Sequence, residues 1–188
     1  MAIEHDAIPN ADIHEPKGVS GAVSGDVYVA DGAGSGAWSQ QSGATYGGIY
    51  SIDSSIAIAT IGTTAKKYAA FDTDMPANGV TPAHASDNIT ISTAGDYYVV
   101  FQTTFKTTTS GDAGIYQFKL RIDDVEDGYG CHREMSGSND TGSCSFIGVV
   151  TLAANEVITI YVESDEAGDT DDIVVEDTQF SVYLLKAA

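Results

Sequence analysis

The stretch "YQFKLRI" alternates without a break: Tyr116, Phe118, Leu120 and Ile122 are apolar, and Gln117, Lys119 and Arg121 between them are polar. Side chains of an extended chain point to opposite faces in turn, so this segment has one face for a core and one for water. The same period recurs. "DYYVVFQTTF" places Tyr97, Val99, Phe101 and Phe105 on one face, and "TQFSVYLL" places Phe180, Val182 and Leu184 together. "NITIST", "SCSFIGVVTL" and "EVITIYVES" add further strand-length runs, the last two joined by the tight connection "AAN". No segment sustains apolar residues at i, i+3, i+4 and i+7 over three turns, and β-branched and aromatic residues dominate the apolar runs. The expectation is an all-β protein of about eight to ten short strands joined by Gly, Asn, Asp and Ser turns, which means a sandwich, a jelly roll or a barrel.

This pattern begins only at Tyr46. A chain of 188 residues buries one substantial core. Residues 1–45, however, are poor in large apolar groups and rich in Gly, Ala, Ser and Asp. Such a segment cannot bury enough surface to offset its chain entropy, so it reads as an extended arm that needs a partner to order it. Within it, "DVYVAD" alternates Val27 and Val29 against Tyr28, a short strand between Gly25 and Gly32. The expected organisation is an N-terminal arm over 1–45 and one sandwich domain over 46–188.

Charge narrows the partners. With 8 basic and 27 acidic residues the net charge is -19, which repels phosphate backbones and anionic lipid surfaces. Nucleic acid and membrane insertion are therefore not expected. The N-terminus lacks the basic and apolar regions of a secretory signal, and no run is long enough to span a bilayer, so the expected product is soluble and cytosolic. Cys131 and Cys144 fit no zinc spacing and flank "HREMSGSNDTGS", which reads as a hairpin tip or loop. They either pair across strands once the protein leaves a reducing cell or stay as two partly buried thiols.

Several stretches imitate chemistry. "GAGSGA" sets Gly32, Gly34 and Ala37 at the G-x-G-x-x-A spacing after a strand, with Asp53 about 20 residues on. A dinucleotide loop needs a helix N-terminus to present free amides to pyrophosphate, and "WSQQSGATYGG" has no helical period. The tract is instead expected to be a flexible hinge between arm and domain. There is no G-x-S-x-G elbow, no H-E-x-x-H and no P-loop lysine. Cys131 and His132 are neighbours on a strand and point to opposite faces, a poor geometry for a nucleophile and its base. His5, His14 and His84 are scattered. No catalytic set assembles, so no enzyme is expected. The run "ESDEAGDTDDIVVED" carries eight carboxylates and no basic residue. It is either a solvated acidic loop or a weak calcium site at Asp165, Asp169, Asp171 or Asp172, since calcium takes clustered oxygen donors.

Four blocks, "ITISTAGDYYVVFQTTF", "YQFKLRIDD", "GVVTLAANEVITIYVE" and "TQFSVYLL", occur in this order between residues 46 and 188. In that order they resemble the trimeric jelly roll of the tumour necrosis factor and complement globular-head superfamily, the third block matching its hairpin. The resemblance implies a homotrimer with aromatic and aliphatic residues at its centre. Tyr97, Phe101, Tyr161, Phe180 and Tyr183 are candidates for core or axis positions, and the sequence does not separate the two sets.

The segment "IHEPKGV...VYVADGAGSGAW" looks like the leading segment of many tailed-bacteriophage virion proteins, where it precedes different C-terminal domains. That resemblance implies an anchoring role for His14, Glu15, Pro16, Lys17, Gly18, Val27, Tyr28 and Val29, with a major capsid or other virion protein as partner. The reading that follows is a trimeric head decoration (cement) protein or short head fibre, made in the host cytoplasm and displayed on the virion surface. Two alternatives stand beside it. One is a receptor-binding tail fibre or spike tip whose loops "CHREMSGSNDTGS" or "SDEAGDTDD" contact a host glycan. The other is a bacterial ligand-binding or calcium-dependent module.

Overall fold

The structure is a computed structural model that describes residues 26–30, 36–40, 43–109, 111–137, 139–165 and 171–188. It divides into two units, Met1–Gly43 and Ala44–Ala188.

In the first unit, β1 (Asp26–Ala30) pairs antiparallel with β2 (Gly36–Gln40). Tyr28 stands opposite Trp38, and the two rings meet edge to face at 5.5 Å. The short strand read from the sequence thus has a partner within the arm. A methyl group on Gly36 would come within 2.3 Å of the Val29 carbonyl oxygen, so only glycine fits beside β1. Ala30 faces Gly36, so Gly36 and Ala37 of the expected hinge lie in β2, and the boundary between units falls after Gly43. Gly32 and Gly34 lie outside the described residues. His14, Glu15, Pro16, Lys17 and Gly18 lie outside the described residues.

The second unit is an all-β sandwich. Its strands are β3 (Tyr46–Ser51), β4 (Ile56–Ile61), β5 (Lys66–Lys67), β6 (Thr73–Asp74), β7 (Val80–Ala83) and β8 (Asn88–Ile91). They are followed by β9 (Gly95–Thr107), β10 (Gly114–Ile122), β11 (Val125–Met135), β12 (Thr141–Leu152), β13 (Val157–Ser164) and β14 (Asp171–Ala187). One sheet runs β12-β9-β14-β3-β6 with β4 also on β14, and the other runs β11-β10-β13-β8-β7 with β5 also on β13. The described strands exceed the expected number because β5 and β6 have two residues each, too short to carry a period.

Alternation builds the core as expected. Tyr97, Val99, Phe101 and Phe105 of β9, Tyr116, Phe118 and Leu120 of β10, and Phe180 and Val182 of β14 are all fully buried. Rings from the two sheets meet directly, Phe101 on Phe118 at 5.7 Å and Phe105 on Phe118 at 5.2 Å. Tyr68, on the connection after β5, packs against Phe71, Phe101 and Phe118. Its hydroxyl shares a 2.8 Å hydrogen bond with that of Thr103, which satisfies two polar groups that burial would otherwise penalise. Burial, only partly offset by that bond, drives the Tyr68 phenol up.

The hairpin expected around "AAN" is corrected. β12 pairs with β9, and β13 pairs with β10, so the connection at 153–156 crosses from one sheet to the other. Its tightness comes from Asn155, at φ 73°, and from the Glu156 carboxylate accepting the Ala153 amide at 2.8 Å. The segment between the cysteines also crosses sheets, from edge strand β11 to edge strand β12. Both cysteines lie within strands and form the disulfide Cys131–Cys144, with Cα atoms 6.1 Å apart. The bond ties the two sheets together along one open edge of the sandwich.

Candidate functional site

In a sandwich the inward face of each strand is committed to the core, so any binding surface must come from outward residues, loops or edges. On β9 the outward residues are Asp96, Tyr98, Val100, Gln102, Thr104 and Lys106. Backbone register extends them into rows across the sheet. Tyr98 stands beside Val149 of β12 and Tyr183 of β14, and Tyr183 stands beside Tyr46 of β3. Val100 stands beside Ile147 in the next row. Ile147 is 58% exposed, Val149 50%, Tyr183 45% and Tyr46 37%. A contiguous aromatic and aliphatic face of this kind is what a protein surface buries against a partner.

The five aromatic candidates separate cleanly. Tyr97, Phe101 and Phe180 are fully buried inside the sandwich and belong to its core; the Tyr97 hydroxyl donates to the Thr93 carbonyl oxygen at 2.6 Å. Tyr183 faces outward in the tyrosine row. Tyr161, on β13, lies under the Arg121 guanidinium at 4.0 Å from the ring centre, and its hydroxyl donates to Asp124 at 3.0 Å. Burial and the Asp124 carboxylate together push its phenol up. Sequence reading missed Tyr46, Tyr98, Ile147 and Val149. The alternation that buries Tyr97 is the signal for Tyr98, which it turns to the opposite face of β9.

In the arm hairpin, Val27 and Val29 are 41% and 54% exposed, whereas Tyr28 packs on Trp38. Of the calcium candidates, Asp165 accepts the Ile115 amide at 2.7 Å and Asp172 accepts the Thr60 amide at 2.8 Å. Asp171 is fully buried at the start of β14. After burial itself, its charge is the largest influence raising the Tyr116 phenol. Asp169 lies outside the described residues. Among the described residues no three His, Cys, Asp or Glu side chains converge as metal ligands would. Cys131 is bonded to Cys144 and cannot serve as a nucleophile beside His132.

Farther along the same outer face a cleft of about 580 Å³ opens. Its floor is another register row, Ser145, Gln102, Gln179 and Tyr50, contributed in order by β12, β9, β14 and β3. Gln102 Nε2 donates to Gln179 Oε1 at 3.3 Å, and Gln179 Nε2 donates to Ser181 Oγ at 3.3 Å. Thr104 and Ser143 share a hydroxyl hydrogen bond at 3.1 Å beside this row. Met75 and Ile52 wall the cleft. The Met75 sulfur lies 2.8 Å from where a side chain on Gly48 would begin, so Gly48 lets that wall close onto the sheet.

No protein-family model matches the chain, and no curated protein matches it. Solved structures do. Eiger TNF from S. frugiperda aligns with a TM-score of 0.58 at 10% identity, over 77% of this chain and 94% of that one. The globular domain of zebrafish complement 1qA aligns with a TM-score of 0.53 at 17% identity, over 77% of this chain and 99% of that one. At these identities the likeness is one of fold, a jelly roll of the tumour necrosis factor and complement globular-head type.

Proposed function

We propose that this chain is a non-enzymatic structural protein of a tailed-bacteriophage virion, a homotrimeric head decoration protein or short head fibre. In this reading the N-terminal arm attaches to the capsid and the jelly roll is displayed outward. The observation that carries it is the outer row Tyr46, Tyr183, Tyr98 and Val149, an exposed apolar face on a sandwich whose interior is already complete. Three copies packing on that row would bury it about an axis. The separate arm unit, with its own hairpin and exposed Val27 and Val29, supports attachment by a segment that is not part of the sandwich. Three arms on one trimer would bind a symmetric lattice with avidity.

Two measurements test the reading. Sedimentation of the full chain is expected to give three times the 19.6 kDa chain mass. Deletion of residues 1–40 is expected to leave the same oligomer but abolish decoration of purified heads; a truncated form that still decorates them refutes anchoring by the arm. The second reading, a receptor-binding tail fibre or spike tip, draws support from the cleft beside Gln102. Immunogold labelling of particles distinguishes head from tail.

A further inference from the structure

We propose that the cleft on the outer face of the β12-β9-β14-β3 sheet is a binding site for a neutral saccharide. Three properties of its lining select that class. The first is the pattern of polar groups. Gln102 gives its Nε2 to Gln179, which leaves the Gln102 carbonyl oxygen as an acceptor. Among the described residues the hydroxyls of Ser145 and Tyr50 have no protein hydrogen-bond partner. Acceptors and hydroxyls therefore lie along one straight row, each on a separate strand of a rigid sheet. Adjacent strands are spaced about 4.8 Å apart, so the row offers its polar groups one strand at a time along the floor, as a ligand bearing several hydroxyls requires.

The second property is charge. Among the described residues no Lys or Arg lines the cleft, and the one carboxylate there, Asp177, already accepts the Asp53 amide at 3.0 Å. On a chain of net charge -19 such a site rejects phosphate, sulfate and sialylated ligands, because nothing compensates their charge. The third property is the apolar wall. Met75, Ile52 and the Tyr50 ring stand beside the polar row, and a sugar presents an apolar C–H face next to its hydroxyls, so both kinds of surface are matched at once. The volume lies within the range of small-molecule sites, about 300–1,000 Å³. A peptide strand would instead need an unpaired sheet edge; the floor strands β9, β14 and β3 are paired on both sides, and β12, the edge strand of the floor, is tied to β11 by the Cys131–Cys144 disulfide. The inference bears on the tail-fibre reading but does not rest on capsid attachment. A chain that fails to decorate heads keeps this cleft.

The test uses the full-length protein in ligand-observed NMR and calorimetry. The probes are neutral trisaccharides of glucose, galactose, mannose and N-acetylglucosamine, with sialyllactose as the anionic comparison. At least one neutral trisaccharide is expected to bind saturably and sialyllactose not at all. Gln102→Ala and Tyr50→Ala are each expected to weaken binding about tenfold or more, and Gln102→Ala to leave the unfolding temperature unchanged. Binding by none of the neutral probes, equal binding of sialyllactose, or affinity untouched by both variants overturns the assignment. A changed oligomeric state in Gln102→Ala without any sugar binding also overturns it and gives the cleft to a second copy of the chain.

Discussion

Tyr129 occupies the space that a side chain on Gly148 would need: a methyl group there would lie 2.5 Å from the tyrosine ring. The tyrosine belongs to β11 and the glycine to β12, which are edge strands of different sheets. The Tyr129 hydroxyl completes the contact by donating to the Val149 carbonyl oxygen at 3.2 Å. Nearby, a methyl group on Gly142 would meet the Met135 sulfur at 2.7 Å and Arg133 Nε at 2.8 Å. The inward row of β12 thus runs Gly142, Cys144, Phe146 and Gly148. Glycines admit side chains from β11, and between them Cys144 is joined to Cys131.

Gly148→Ala is expected to destabilise the protein by about 1–3 kcal/mol, because the ring has to leave its place. Combining it with Tyr129→Ala should recover part of that loss in a double-mutant cycle by denaturant unfolding. Strictly additive losses would mean that the two residues do not share one space.

The disulfide closes a short loop, its cysteines 13 positions apart in the chain, and cross-links of that length contribute about 3 kcal/mol. Replacing both with serine should lower the unfolding temperature. Reductant should lower that of the parent protein to match and leave the variant unaffected. A parent protein indifferent to reductant under unfolding conditions contradicts a stabilising role.

Asp112 is 3% exposed. Burial pushes its carboxyl up, but amides of Thr109, Thr108 and Asp172 and the Thr108 hydroxyl donate to it and prevail, holding it below the ordinary carboxylate value. A carboxyl whose folded value is depressed stabilises the fold above its unfolded value, and that stability is lost as pH falls through the folded value. Asp112→Asn should therefore cost about 1–3 kcal/mol at neutral pH. Its gap to the parent should close in acid, below pH 3.8. A gap constant across the acid range would show that the charge is immaterial.

Tyr183→Glu places a charge in the middle of the tyrosine row. It is expected to yield a folded species of 19.6 kDa in sedimentation, because an unpaired carboxylate opposes burial of that face. A variant that sediments like the parent removes the row from any interface.

Alternation along each strand is a local property, so the sequence by itself determined the all-β class and which side chains of β9, β10 and β14 point inward. Tyr97, Phe118 and Phe180 were legible as one face of their strands for that reason. The large acidic excess was equally plain from composition. What lay beyond reach was set by pairing between segments distant in the chain. Hydrogen-bond register alone brought Tyr46, Tyr183 and Tyr98 into one row and Ser145, Gln102, Gln179 and Tyr50 into another. Strand partners likewise turned an expected hairpin at 153–156 into a sheet crossing and placed Gly36 of the expected hinge in β2. The tertiary structure also decided that Tyr97 and Phe101 belong to the interior and Tyr183 to the surface. An apolar face reads the same whether it meets a second sheet or a second molecule, and only the packed arrangement of both sheets distinguishes them.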